Sequence, residues 1–344
     1  MKVGFIAPQS IAAVNGGVRT QALMTAQHLK NLGVEVVLVS PWDQLNELDI
    51  DLYHVFSASI ENIGILRQLN ALDKKIVLSP VMYSNRSSST VKSILKGENL
   101  VGKLHQGMFS EFRIKQQACT LATHLVPNTL AEASLIIEGL TIPSHKIDPI
   151  PNGVEERFKD ASPTLFEDTY GIQDFILFVG HASSKRKNVY SLLEASKSIN
   201  HPVVIIGSFD QSEYSKQCIQ LAESLAHVII IDALPHDSEM LASAYAACKT
   251  FVLPSMFETP GIAAMEAALA GANIVITEKG GTQEYFKDFA IYIDPASTSS
   301  ISKALDSSQK KGKNNQLRDH IQSRYVWSEV AKQTLTVYQK VLNS

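Results

Sequence analysis

Thr250-Phe-Val-Leu-Pro-Ser255, then Glu258-Thr-Pro-Gly-Ile-Ala-Ala-Met-Glu266, then a small-residue run closed by Gly271: this is the stretch on which the fold turns. Thr250–Leu253 is apolar and β-branched enough for a buried strand. Ile262–Ala270 has the composition of a short helix, and Pro260-Gly261 supplies a turn between them. Glu258 therefore sits in a strand-to-helix loop, and Glu266 about two turns beyond it. In an open α/β sheet such loops gather at the carboxyl edge of the strands, where ligands bind. Two ionised carboxylates there can accept hydrogen bonds from the hydroxyls of a polyol. The competing reading is a pair of solvated acids flanking a turn; the strand, the Pro-Gly turn and the small-residue helix favour a site.

The same strand-and-helix rhythm runs in both directions. Upstream, strands are predicted at Lys2–Ala7, Glu35–Ser40, Asp51–Phe56, Lys75–Ser79 and His124–Val126. Val18, Ala22, Ala26, Leu29 and Leu32 recur at helical spacing before Gly33, which gives a right-handed βαβ crossover between the first two strands. A second series follows at Phe175–Val179, Pro202–Ile206, Val228–Asp232, Thr250–Leu253, Asn273–Thr277 and Ala290–Asp294. Continuous apolar runs suit parallel sheets covered on both faces. The turn chemistry of Ile150-Pro-Asn-Gly-Val154 and the polar stretch Lys159–Pro163 place a junction between the two series. The expected architecture is α/β: two Rossmann-like doubly wound domains facing a cleft. The first covers residues 1–157 and the second 164–327, with a last helix, 328–344, packing back on the first.

A chain of 344 residues exceeds one ordinary core, in agreement with two domains. A formal charge of -3 argues against nucleic acid as a partner. Cys119, Cys218 and Cys248 are odd in number and in no metal-like spacing, which points to a reduced, cytoplasmic compartment. The first residues carry too short an apolar run for a signal peptide. No run approaches membrane-spanning length, so any membrane contact is expected to be peripheral. Basic residues from Lys92 to Lys115, including Lys96, Lys103, His105 and Arg113, interleave with Leu95, Leu100, Leu104, Met108 and Phe109. Such a helix suits an anionic membrane surface, or is an ordinary amphipathic helix. Trp42, Trp327 and the cysteines read as packing residues.

Two further loops carry candidate chemistry. Asn15-Gly16-Gly17-Val18 opens the first crossover helix, with Arg19 just inside it. Glycines permit close backbone approach, and a helix N-terminus attracts a phosphate or diphosphate. The run is neither Gly-x-Gly-x-x-Gly nor a Walker loop, and a plain tight turn is the alternative. In the second series, Phe175–Val179 runs into Gly180-His-Ala-Ser-Ser-Lys-Arg-Lys-Asn188. Three adjacent cations at a strand's carboxyl end form a candidate anion clamp, the alternative being solvated surface.

Taken together these elements resemble glycosyltransferase family 4, the retaining nucleotide-sugar transferases of GT-B architecture. Pro151-Asn-Gly-Val154, Gly280-Gly-Thr-Gln-Glu-Tyr285 and Asp294-Pro295 match that family too, and the Glu-x7-Glu element from Glu258 to Glu266 is the most specific part. The resemblance implies that Glu258 accepts hydrogen bonds from the donor sugar and Glu266 from the nucleotide ribose. Lys187, with Arg186, would neutralise the departing diphosphate, which Gly16 and Gly17 would contact from the other domain. The loop Ala233–Asp237, with Leu234, would seat the base. Gly180 and the turn Thr259, Pro260, Gly261 and Ile262 complete the implied donor site. No metal and no cofactor are implied, the nucleotide-diphosphate sugar being a substrate. The acceptor would be a glycan or a lipid-linked glycan, with a role in surface polysaccharide assembly at the cytoplasmic face of the membrane. A homodimer is compatible with the family.

Two positions depart from the pattern. His181 stands where many members have Arg, and Val77-Leu-Ser-Pro-Val-Met-Tyr-Ser-Asn85 lacks the His that many have after the fourth strand. His54 lies on a different strand end and could stand in for that His or be a packed core histidine, the packed reading being favoured. The alternatives left open are a sugar-nucleotide epimerase of similar fold and an inactive homologue serving as a partner subunit.

Overall fold

The computed structural model describes residues 1–13, 16–84, 86–101 and 110–344. Asn15 of the first glycine loop, and Lys103, Leu104, His105, Met108 and Phe109 of the basic stretch, lie outside the described residues. All eleven predicted strands are present. They are β1 (Lys2–Ile6), β2 (Glu35–Leu38), β3 (Leu52–Phe56), β4 (Ile76–Ser79), β5 (His124–Leu125) and β6 (Ile176–Val179), followed by β7 (Val203–Ile206), β8 (Val228–Ile231), β9 (Thr250–Leu253), β10 (Asn273–Thr277) and β11 (Ile291–Ile293).

They form two parallel Rossmann-like sheets, ordered β2-β1-β3-β4-β5 and β11-β10-β9-β6-β7-β8. Every pairing among them is parallel. In the second sheet the chain builds outward from β6 through β7 to β8, then returns to the other side of β6 and builds through β9 and β10 to β11. The order therefore reverses between β6 and β9, and the loops leaving these two strands part at that point. A doubly wound sheet opens its ligand crevice there. Ile176, Leu177, Phe178, Phe251, Val252 and Leu253, on the two strands flanking the reversal, are almost wholly buried, so the loops rest on a rigid base.

The chain divides into Met1–Gly153 with Trp327–Ser344, and Val154–Val326. The boundary falls before the predicted end at 157. Val154 donates its N–H to the Tyr325 carbonyl at 2.7 Å and bridges Val326, and Phe158 is buried in the core of the second unit. The polar stretch predicted to separate the domains also belongs to that unit, where Arg318 donates to the Lys159 carbonyl at 2.8 Å. The last helix, Trp327–Leu342, places Trp327, Val330, Ala331, Val337, Tyr338 and Val341 in one cluster with Val3, Phe5, Ala22 and Leu29.

Trp327, Cys119, Cys218 and Cys248 are buried, but Trp42 is 92% exposed on the loop after the edge strand β2, so the packing role expected of it is corrected. That loop is turned back on itself by Asp43, whose Oδ2 accepts the Ser40 N–H at 2.7 Å, and Trp42 lies outside every core cluster. Among the described residues no helix is long and apolar enough to cross a membrane.

His54 is a packed core residue. Its Nδ1 meets the Tyr338 hydroxyl at 2.5 Å and its Nε2 the Ser79 hydroxyl at 2.9 Å, which ties the last helix to β3 and β4. Burial pushes its pKa down from 6.5 to about 3. A depressed histidine pKa means that the unfolded chain takes up the proton first, so the His54 contribution is complete above pH 6.5 and is lost as pH falls toward 3. The expected slope is about 1.4 kcal/mol per pH unit within that window. Urea denaturation at several pH values checks it. The slope should diminish in His54→Phe, and an unchanged slope would remove His54 as its source.

Candidate active site

The loop leaving β6 begins at Gly180 and makes a single tight turn at Lys185–Lys187 before the helix Val189–Ser196. Asn188 sits between turn and helix with φ 60°, a left-handed conformation that Asn tolerates better than most residues. Its amide donates to the Pro254 carbonyl at 3.1 Å and the Pro295 carbonyl at 2.8 Å. One side chain thus ties the loops after β6, β9 and β11 together and sets the place of the two cations before it.

Across the sheet reversal, the loop leaving β9 carries Glu258, whose backbone is held on both sides. Its N–H donates to the Lys279 carbonyl at 3.1 Å, and its carbonyl accepts from Gly281 at 2.9 Å. Gly280 bridges it directly; at φ 102°, a β-carbon there would lie 2.0 Å from the Glu258 carbonyl oxygen. The predicted Gly280-Gly281 element therefore acts as the seat of the first acid. Beyond Glu258 come Thr259 and the buried Pro260, joined by a cis peptide bond. Gly261, at φ 90°, then turns the chain into the helix Ile262–Leu269. Ile262 and Thr259 are half-buried at this helix start, where the first backbone N–H groups have no partner within the helix.

The cations and the first acid, assigned by the sequence to different parts of a ligand, are in direct contact. Lys187 Nζ donates to Glu258 Oε1 at 2.6 Å, and Arg186 Nη1 reaches the same oxygen at 3.2 Å and the Phe257 carbonyl at 3.0 Å. The Glu258 side chain is 8% exposed, Lys187 15% and Arg186 39%. Burial raises the carboxyl pKa, but the adjacent Lys187 and Arg186 charges outweigh it and hold the group below its ordinary value. A buried carboxylate without these cations would be costly. The result is an ionised acid with two cations of graded exposure, Arg186 outermost.

Glu266, inside the helix, is buried with both oxygens engaged. His236 Nε2 meets Oε1 at 2.7 Å, and the Tyr245 hydroxyl donates to Oε2 at 2.8 Å. His236 belongs to the loop after β8 that includes the half-buried Leu234, and its Nδ1 lies 3.4 Å from Glu155 Oε2. The hydrogen bond to Glu266 raises the His236 pKa above its ordinary value, against the opposing effect of burial. Sequence reasoning assigned no role to either partner. His236 stands in the loop already marked for the base, but Tyr245 lies within the helix Glu239–Ala247, where an aromatic reads as core.

Gly180, Arg186, Lys187, Leu234, Glu258, Gly261 and Glu266 all belong to the second unit. Gly16 and Gly17 belong to the first, where Gly16 caps the helix Gly17–Asn31 and Arg19 donates to the Ile11 carbonyl at 3.2 Å. A β-carbon at either glycine would meet nothing within 4 Å.

Residues 167–324 match the family model for glycosyl transferases group 1. An uncharacterized glycosyltransferase of Methanocaldococcus jannaschii is 28% identical over 250 residues, 67% of this chain and 62% of that relative. The chain thus spans less than two thirds of that relative's length. A phosphatidyl-myo-inositol mannosyltransferase of Mycobacterium leprae is 22% identical over an alignment covering 100% of this chain and 98% of that one. Among solved structures, sucrose-phosphate synthase from Thermosynechococcus elongatus superposes with a TM-score of 0.78 at 14% identity, covering 100% and 99% of the two chains, a likeness of fold. The residues matched by the glycosyl transferases group 1 model, 167–324, carry both acids and both cations of this site.

Proposed function

We propose that the chain is a retaining, metal-independent transferase of the glycosyltransferase family 4 type. It moves a hexosyl-type sugar from a nucleotide-diphosphate sugar to a glycan or lipid-linked acceptor in surface polysaccharide assembly, working at the cytoplasmic face of a membrane. The observation that carries the reading is the buried Glu258 carboxylate sharing one oxygen between Lys187 and Arg186 at the reversal of the second sheet.

The chemistry follows from where charge develops. As the bond between the anomeric carbon and the diphosphate breaks, negative charge grows on the phosphate oxygens and positive charge on the sugar. Cations already fixed by Glu258, and the partial positive charge at the start of Ile262–Leu269, favour that distribution without reorganising in the transition state. The acceptor hydroxyl adds on the face the diphosphate leaves and passes its proton to a diphosphate oxygen, so configuration is retained. Glu258 has a second role in this reading: its unshared oxygen accepts from a donor-sugar hydroxyl. Protein cations serve where other transferases use a divalent ion. Leu234 flanks the base.

A thermal-shift panel of nucleotides and nucleotide sugars tests the reading, since a ligand at 100 times its Kd adds about 2.7 kcal/mol to the folded state. Nucleoside diphosphates and their sugars should raise the Tm, and the best donor should release nucleoside diphosphate on addition of acceptor. That release should persist in chelator. Loss of activity in chelator with recovery on magnesium or manganese would end the metal-independent part. Binding without turnover would instead favour an inactive partner subunit, a reading motivated by the missing His between Pro80 and Asn85.

A further inference from the structure

We propose that Tyr245 and His236 are the positioning residues of Glu266, one fixed and one exchangeable, and that the orientation fixed by Tyr245 makes the site select ribonucleoside over 2′-deoxyribonucleoside diphosphates. The proposal rests on the reading above, in which Glu266 receives the nucleotide ribose, and it adds what makes that carboxylate selective.

The two partners of Glu266 differ in mobility. Tyr245 is fully buried in the helix Glu239–Ala247, with its ring edge-on to Phe158 at 5.5 Å and tilted against Phe251 at 5.8 Å. Its hydroxyl has no water to return to, so the bond to Glu266 Oε2 is a permanent part of the core. His236 has a side chain 47% exposed, on a loop. Solvent can hydrate the imidazole when it moves away, but not the buried Glu266 oxygen it leaves. Its neighbours are the Glu155 carboxylate and the Phe158 ring, and Arg157 donates to its backbone carbonyl, so the ring can swing while the backbone stays anchored.

The torsion that rotates a Glu carboxylate is broad and nearly twofold. Glu266 therefore has no orientation of its own, and the Tyr245 hydroxyl supplies one. With Oε2 anchored, Oε1 is the oxygen that changes hands. A vicinal diol donates to a carboxylate so oriented once His236 withdraws. A 2′-deoxyribose cannot complete the exchange, and the buried oxygen is left under-bonded, which is the type of mismatch that a polar pocket rejects most strongly.

The test uses isothermal titration of the full chain with uridine, guanosine and adenosine diphosphates and their 2′-deoxy counterparts, taking the base that binds most tightly. Wild type should prefer the ribonucleotide by about 10- to 100-fold. Tyr245→Phe should reduce that ratio at least fivefold while inorganic pyrophosphate binds within twofold of wild type, a pattern that simple loosening of the core does not produce. His236→Ala should bind the ribonucleotide at least as tightly as wild type and keep the ratio. A Tyr245→Phe ratio equal to wild type overturns the fixed half, and a tenfold loss in His236→Ala overturns the exchangeable half. Should Tyr245→Phe not fold, the wild-type ratio and the His236→Ala arm decide, since a ratio near one sinks the selection. Binding of none of the diphosphates overturns the nucleotide-sugar reading itself, and this inference with it.

Discussion

Glu258→Gln is expected to lower the turnover of the best nucleotide-sugar donor by about 10²–10³-fold in a protein that still folds, the loss typical of removing one preorganised electrostatic element. The substitution keeps the shape of the side chain and removes its charge. Lys187 and Arg186 then lose the shared negative charge that fixes them, now at 2.6 and 3.2 Å from one carboxylate oxygen. Both reach solvent to some degree, so they are re-solvated rather than stranded, and the stability cost should stay at about 1–3 kcal/mol. The sign of the pH effect can be stated as well. Because the Glu258 pKa lies below its ordinary value, its stabilising contribution is present above that ordinary value and is lost as pH falls through the folded one. Initial rates with saturating donor, together with a melting curve, check the prediction. A mutant as fast as wild type would remove Glu258 from the reaction, and an unfolded mutant would make the pair structural first.

Gly280→Ala is expected to cost about 2–4 kcal/mol and to lower the Tm by roughly 5–12 °C, through crowding and an unfavourable backbone conformation together. A β-carbon at Gly280 would stand 2.0 Å from the Glu258 carbonyl oxygen, 2.9 Å from its carbonyl carbon and 3.1 Å from its nitrogen, all backbone atoms. None of these is the mobile end of a side chain. Relief requires parting the loop after β10 from the loop after β9, and Glu258 moves with it, so activity should fall alongside stability. Gly64→Ala is the control: it lies exposed in the helix Ile60–Ala71, with nothing within 4 Å of the added carbon. There alanine should stabilise by about 0.5–1 kcal/mol. A Gly280→Ala melting point within 2 °C of wild type would show that the two loops are not locked at this position.

The strands were legible because burial on both faces of a parallel sheet demands uninterrupted apolar runs, and residues such as Val203–Ile206 or Ile274–Ile276 satisfy that demand locally. Glu258, Glu266 and the Lys185–Lys187 run were legible for a related reason: loops at strand ends carry polar residues that the strands cannot. Trp42 was misread because nothing in its neighbours reveals whether a loop folds over it.

What this sequence determined alone was therefore the alternation of strand and helix, the turn at Pro260-Gly261, and which residue types stand at the carboxyl ends of β6 and β9. Local apolar patterning and backbone preferences suffice for these. Tertiary structure alone decided that Lys187 and Glu258, 71 positions apart, form one ion pair, and that Tyr245 and His236, 21 and 30 positions before Glu266, hold its two oxygens. Strand order in the second sheet brings the first pair together, and helix packing the second. Neither leaves a periodic trace in the chain, because the partners lie on separate elements whose spacing is set by the sheet rather than by neighbouring residues.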